Sequence, residues 1–428
     1  MNASFDVVVV GGGPGGIAAA TIAAEAGRRV CLLDDNERPG GQIWRGFKAG
    51  TAAKYPHGRS FVDWAARLGA SGCEVWARWQ VVDAPAANCL RVERDGATSD
   101  LRYERLILAT GARERFLPFP GWTLPGVMGV GGVQALVKGG LDAAGKRVVL
   151  AGSGPLLLAV GAALKGTGAR LLGVYEQAPL QQLMGFGATL LRHPGKLAEG
   201  ARYRLKTIGT PYRTGCWVVR AEGHDRVERV TLTNGRKQWS VDCDWLGCGF
   251  HLVPNLELPR LLGCRILGGF VEADEFQESS VKGVACVGEL TGVGGLEKAL
   301  VEGEIAGWAA AGREREAVAL GSARRRMQRF AAGLERAFAL RAELRGLATP
   351  ETFVCRCEDV SHAELAGFTS WREAKLHTRC GMGACQGRVC GAATEFLFGW
   401  ETTGMRPPVF PASVATVAAS VDEVEMVR

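Results

Sequence analysis

The chain has 428 residues, 47% of them hydrophobic and 22% charged, which is long enough for two or three cores and too apolar for a disordered chain. Its net charge of +7 is mild, and the one notable basic run, Arg324 to Arg326, reads as the solvated start of an amphipathic helix, so no nucleic-acid partner is expected. Sixty glycines, roughly twice average usage, gather at strand-to-helix junctions without a fixed period, which excludes a collagen-like repeat and points to nucleotide loops.

At the N-terminus, Met-Asn-Ala-Ser-Phe-Asp runs straight into the apolar strand Val7 to Val10. Cleaving a secretory signal there would destroy the strand, so the thirteen cysteines are expected to be reduced and the protein cytoplasmic, with membrane association only through partners. Asp6 to Val10 reads as a buried parallel strand, Gly11-Gly12-Gly13-Pro14-Gly15-Gly16 as a phosphate-binding turn, and Ile17 to Ala26 as an alanine-rich helix. Gly11 permits the tight turn, Gly13 lets the backbone approach a pyrophosphate, and Gly16 lets helix and strand pack closely. Pro14 and Gly15 complete the turn. A second strand, Arg29 to Leu33, ends at Asp34, where a carboxylate can bond ribose hydroxyls; Asp35 is the neighbour able to substitute.

Further along, Val148 to Leu164 approaches membrane-spanning length, but Gly152, Gly154 and Pro155 break it, so a strand, a turn and a buried helix are expected and no membrane span. Lys146 to Ala151 is the strand, Gly152-Ser153-Gly154-Pro155-Leu156-Leu157 opens the helix, and Leu171 to Tyr175 leads to Glu176, repeating the first plan. Leu157 replaces the third glycine, which is expected to push the helix away from the strand. Glu176 suits a ribose and repels a 2′-phosphate, and the ligand here, NAD, ATP, AMP or none, stays open, as does FMN at a subunit interface. Val227 to Val241, with Asn234-Gly235 at its turn, reads as a hairpin. A strand over Asp244 to Phe250 then leads to His251-Leu252-Val253-Pro254-Asn255, and structural roles are expected for Cys248 and His251. The helix opened by Arg324 to Arg326 carries the apolar face Met327, Phe330, Leu334, Phe338, the stem of Arg341 and Leu344.

Past a linker around Gly346 to Pro350 come Cys355-Arg356-Cys357, then Cys380, Cys385 and Cys390. Two cysteine pairs supply the two thiolates per iron of a [2Fe-2S] rhombus. Gly381, Gly383 and Gly387 allow backbone amides to face the sulfurs, and Lys375, Arg379 and Arg388 offset charge. A four-cysteine zinc site and a Cys380–Cys385 redox disulfide are the alternatives.

Three segments resemble the large flavoprotein family with two dinucleotide-binding domains, of the glutathione-reductase-like type: Gly40-Gly41-Gln42, Leu106 to Gly111 with its Ala109-Thr110-Gly111, and Val284 to Glu289. The resemblance implies FAD held by Gly11, Gly13, Pro14, Gly15, Gly16, Asp34, Asp35, Gly41, Gln42, Thr110, Gly111, Gly288 and Glu289, the last standing where the family has Asp. The second nucleotide site would use Gly152, Gly154, Pro155 and Glu176. Thr378 to Cys390 resembles the bacterioferritin-associated-ferredoxin-type domain, which implies a [2Fe-2S] cluster on Cys355, Cys357, Cys385 and Cys390, with Cys380 spare or replacing one of them.

Together with Gly121-Trp122-Thr123-Leu124-Pro125-Gly126-Val127, these motifs resemble the α (A) subunits of heteromeric opine oxidases and D-hydroxyproline dehydrogenase, related to a subunit of hydrogen cyanide synthase. That implies a β flavoprotein partner that oxidises an amino substrate and, as a further partner, a small ferredoxin-like γ subunit. The sequence has no dithiol beside the flavin motifs and no His or carboxylate constellation for substrate deprotonation, which fits an electron-handling role. An NADH-dependent reductase and a non-catalytic scaffold are the other readings. The expected fold is α/β: two Rossmann-like domains plus a small helical [2Fe-2S] domain. Its expected parts are 1–112 and 246–320 for FAD, 113–245 inserted, 321–349 a helical linker, 350–400 the cluster domain and 401–428 a tail.

Overall fold

The computed structural model describes residues 2–47, 49–52, 57–402 and 404–420. The chain divides into two compact units: residues 1–112, 254–331 and 404–428 form the first, and 113–253 and 332–403 the second. The return to the first unit falls after Val253 because the strand Trp245–Phe250 belongs to the second unit's sheet. Of the expected tail, residues 421–428 lie outside the described residues, and the described part from Gly404 onward belongs to the first unit.

In the first unit, β1 (Asn2–Val10) is followed by α1 (Pro14–Glu25), β2 (Val30–Asp34), β3 (Glu74–Ala77), β4 (Gln80–Ala86), β5 (Cys89–Arg94) and β6 (Ala97–Leu108). The sheet runs β3-β2-β1-β6-β5-β4, and the strand Val284–Cys286 adds to β6. Val7 to Val10 are buried because β1 lies mid-sheet, paired in parallel with β2 and β6 and covered on both faces. The helix starts at Pro14, earlier than expected, since a proline at the first helical position forfeits no hydrogen bond. α1 packs against the helix Leu296–Ala310 through small residues. A Cβ at Gly307 would come within 2.7 Å of the Ala19 carbonyl oxygen, so only glycine permits that approach.

The second unit repeats the plan. Its parallel sheet runs Tyr212–Thr214, Arg170–Glu176, Arg147–Ser153, Trp245–Phe250 and Val127–Gly129. An antiparallel sheet of Trp217–Glu222, Arg229–Thr233 and Gln238–Asp242 contains the expected hairpin around Asn234-Gly235. The apolar segment 148–164 divides into strand, turn and the helix Leu156–Lys165, and no described helix is long and apolar enough to cross a membrane.

One expectation is corrected. The helix Gly321–Ala337 stops short of Arg341 and Leu344. Tertiary bonds compete there: the Phe338 carbonyl accepts from the Ser153 hydroxyl at 2.8 Å and the Ala339 carbonyl from the Gln177 amide at 3.1 Å. Arg341 stacks on the Trp217 ring at 4.0 Å, and Leu344 is buried in a separate short 3-10 turn.

The cysteine-rich segment has its own small core, Val354, Val360, Leu365, Trp371, Ala374 and Trp400 around three of the cysteines. It is a two-stranded ribbon (Phe353–Cys355, Val360–Ser361) followed by the helices His362–Leu365, Trp371–Thr378 and Cys390–Phe398. Ser361 and Ser370 accept backbone N–H bonds at the starts of the first two helices.

Candidate functional site

The first glycine turn is built as a cradle. Gly11 has φ of 105°, and a Cβ on it or on Gly16 would fall well inside contact distance of the Ala109 or Gly11 carbonyl oxygen respectively. The position of a Gly13 Cβ meets only the Gly41 Cα, at 4.0 Å, so open space faces the turn beside the start of α1. Gly41, at φ 56°, lies against Gly13; a Cβ there would stand 2.9 Å from the Gly13 Cα. Gln42 is exposed on the same loop. Such an all-backbone cradle at a helix N-terminus fits a dinucleotide pyrophosphate.

Asp34 is buried, and burial pushes its carboxyl up while bonds from Asn36 and the Gly12 N–H oppose the shift. The Asn36 backbone and side-chain nitrogens donate to it at 2.7 and 2.8 Å. Asp35 is exposed and takes a bond from the Asn36 amide at 2.7 Å. Thr110 and Gly111 are fastened to Asn255: the Thr110 hydroxyl donates to the Asn255 carbonyl at 3.0 Å, and the Asn255 side chain returns a bond to the Thr110 carbonyl at 2.7 Å.

Glu289 turns back on its own loop, accepting N–H bonds from Gly294 at 3.2 Å and Gly295 at 2.9 Å. The extra methylene relative to aspartate supplies this reach. Burial raises its carboxyl, against the Lys298 charge. Beneath the turn lies a pair that sequence reasoning missed. Lys298 and Glu302 form a 2.7 Å ion pair, and both are almost wholly buried. The Lys298 ammonium also donates to the Gly288 carbonyl at 2.7 Å, and Glu302 accepts from the Gly288 N–H at 2.9 Å and the Thr291 hydroxyl at 2.8 Å. Their i,i+4 spacing is the one signal in the sequence, but that spacing usually marks a surface pair.

In the second unit, Gly152 has φ of 143° and Gly154 has φ of 104°. Pro155 precedes the helix, which begins at Leu156, one residue later than its counterpart in α1. Leu157 is buried on the side of the sheet where Gly249 lies. Glu176 is fully buried, and both its oxygens are engaged, one by the Gly154 N–H at 2.8 Å and one by the Ala178 N–H at 2.9 Å. Burial pushes its carboxyl up to about 7. Cys248 lies in this unit's core, where burial and the Glu114 charge raise its thiol, and His251 holds a left-handed turn at φ 75°.

The five C-terminal cysteines converge. The Sγ atoms of Cys355, Cys380 and Cys390 lie within 4.8 Å of one another, all three buried. Cys385 is half-buried and hydrogen-bonds to Cys390 and Cys357; Cys357 is exposed. The Cys355 thiol is driven far below its ordinary range by bonds from the Cys380 and Cys390 sulfurs, helped by the Gly381 and Cys357 N–H groups. Gly387 and Val389 N–H groups face Cys385. Gly381 and Gly387 also make room for Trp371, whose ring would lie 2.6 and 3.1 Å from a Cβ on them, while a Cβ on Gly383 would collide with Cys357. Converging sulfurs ringed by backbone N–H groups fit a metal cluster or ion. Arg379 is committed to Glu358 at 2.7 Å, and Arg388 donates to the Cys385 carbonyl at 3.2 Å. Lys375 is half-buried in the last turn of the helix Trp371–Thr378.

The expectation that no dithiol stands near the flavin motifs needs amending. Cys264 and Cys286, the latter two residues before Gly288, are in side-chain contact. Both are enclosed in the apolar core of the first unit.

Comparison with known proteins agrees with this architecture. The family described as "Pyridine nucleotide-disulphide oxidoreductase" matches residues 5–314. Hydrogen cyanide synthase subunit HcnB of Pseudomonas aeruginosa is 33% identical, over 94% of this chain and 96% of its own. The opine oxidase (A) subunit of Rhizobium meliloti is 32% identical, over 98% of this chain and 99% of its own. The crystal structure of L-proline dehydrogenase from P. horikoshii shares the fold, with a TM-score of 0.71 at 20% identity, covering 98% of this chain and 80% of that one. With its cradle, its doubled Rossmann plan and these relatives, the chain belongs to the pyridine nucleotide-disulphide oxidoreductase family of FAD-dependent oxidoreductases, among the relatives of HcnB and the opine oxidase (A) subunits.

Proposed function

We propose that this chain is the electron-relaying subunit of a heteromeric amino-acid or opine dehydrogenase. FAD is held by the Gly11 to Gly16 turn, Asp34, the Gly41-Gln42 loop, Thr110-Gly111 and the Gly288-Glu289 turn, and a [2Fe-2S] cluster by Cys355, Cys357, Cys385 and Cys390. Bound FAD supplies the ability to accept an electron pair and release it singly, which suits a one-electron cluster as the next carrier. The residues of this chain bind and orient: the glycine turn and the start of α1 counter the pyrophosphate charge, and the Lys298–Glu302 pair fixes the Gly288–Thr291 turn.

The observation that carries the reading is the convergence of cysteine sulfurs and backbone N–H groups in a chain whose full-length relatives are named as subunits. A β flavoprotein partner would then hold the amine-oxidation site. Exposed apolar side chains on the second unit, Leu180, Met184 and Leu191, all at least 59% exposed, favour a surface that a partner covers.

The test is purification of the chain together with the products of neighbouring genes, followed by visible spectra before and after adding candidate amino acids and opines. Substrate should bleach the flavin band and the iron-sulfur band of the complex, and should leave the isolated chain unchanged. Full amine dehydrogenase activity in the isolated chain would overturn the relay assignment.

A further inference from the structure

A [2Fe-2S] rhombus takes four thiolates, two on each iron, and five cysteine sulfurs meet here. Burial separates them. Cys355, Cys380 and Cys390 are enclosed, Cys385 is half-buried, and Cys357 is exposed. The ligand set of the proposed function therefore includes the one sulfur that solvent reaches freely, and leaves out a sulfur that is 0% exposed.

Cys380 is more than a small apolar filler. Its Sγ lies within 4.8 Å of both Cys355 and Cys390. Two thiolates on one tetrahedral metal, each at about 2.3 Å, stand about 3.8 Å apart, which is inside that range. Its backbone is fixed for the purpose as well: the Cys380 N–H donates to the Thr378 hydroxyl at 3.2 Å, and the next residue, Gly381, takes φ of 84° and turns its N–H to Cys355. A packing role alone would need neither the sulfur contacts nor the turn.

We propose that Cys380 is a reserve cluster ligand that takes the coordination position Cys357 vacates. The cage then has an outer form, with Cys355, Cys357, Cys385 and Cys390, and an inner form in which Cys380 replaces Cys357. The exchange is proton-neutral. The iron–sulfur bond to Cys357 breaks and that thiolate takes up a proton, while the Cys380 thiol loses one as its own bond to the same iron forms. Neither the iron oxidation state nor the ligand charge changes. An exposed thiolate is the one that oxidants and solvent thiols reach first, so an inner substitute would keep the cluster through loss of Cys357.

This inference rests on the cluster reading, and the experiment separates the two. The full chain and its C357S, C380A, C357S/C380A and C390A variants are purified anaerobically and assayed for iron, zinc and acid-labile sulfide, with electron paramagnetic resonance after dithionite reduction. The wild type and C380A should carry equal iron and the same signal. C357S should keep at least half the iron with shifted g values, and the double variant should fall about tenfold, to the level of C390A. Because alanine suits the enclosed position, C380A checks that loss in the double variant is not misfolding. Iron in the wild type with C357S as empty as C390A, or with the double variant as full as C357S, would overturn the reserve ligand and leave the cluster standing. Zinc without iron in the wild type would overturn both.

Discussion

Replacing Lys298 with methionine removes an ammonium from a site where its side chain is 2% exposed and leaves Glu302, 0% exposed, without a counter-charge. Breaking a buried pair from one side costs about 3 to 5 kcal/mol, because the remaining ion is neither solvated nor paired. Here the Glu302 carboxylate keeps the Gly288 N–H at 2.9 Å and the Thr291 hydroxyl at 2.8 Å, so the lower end applies. About 3 kcal/mol corresponds to roughly a 150-fold shift in the unfolding equilibrium of the first unit. The assay is urea denaturation read by fluorescence of released flavin, which reports on that unit. K298M/E302Q should recover more than half of the loss, since glutamine accepts the same two bonds without a charge. A K298M unfolding free energy within about 1 kcal/mol of wild type would refute the argument. So would a double variant as unstable as the single, which would assign the loss to packing alone.

Gly16→Ala places a methyl against the Gly11 carbonyl oxygen, well inside contact distance. It should cost about 1 to 3 kcal/mol and weaken FAD retention at least tenfold, measured as flavin per chain after gel filtration. Glu176 has a folded pKa raised to about 7 from 4.5 by burial. Its stabilising effect is therefore full below about 4.5 and lost as pH rises through 7; on the order of 2 to 3 kcal/mol is at stake in the second unit. E176Q should flatten the decline in urea midpoint between these pH values, and an unchanged slope would count against the assignment. Arg91 is enclosed with Asp100 in a 2.8 Å ion pair and donates to the Ala419 and Ser420 carbonyls at 2.5 and 3.2 Å. R91M should release that C-terminal segment, seen as at least tenfold faster elastase cleavage near residue 413; unaltered cleavage would show the arginine is not its anchor.

Much of the fold was legible because its signals are local. An all-valine strand, a glycine turn and an alanine helix read the same way in isolation and in the molecule, and Asp34 and Glu176 end their strands as expected. The parts that were not legible depend on distant partners. The basic helix ends at Ala337 because Ser153 and Gln177, far away in sequence, take up the carbonyls that follow. Lys298 and Glu302 have the spacing of a solvated pair, and only the turn folded over them makes them interior. Cys380 is enclosed with Cys355 and Cys390 while Cys357 is exposed, a difference that spacing does not encode, and Cys264 meets Cys286 although no periodicity announces the contact.

The first unit is assembled from three stretches of chain, the last being residues 404 onward, where the Val409 N–H bonds the Val82 carbonyl at 2.8 Å and the Thr98 and Thr416 hydroxyls meet at 2.7 Å. The second unit is complete in sequence once residue 403 has been made. A contact between residues as far apart in sequence as Val82 and Val409 must wait for a long loop to close, so the C-terminal stretch joins the first unit late in folding, after the local strand, turn and helix contacts have formed.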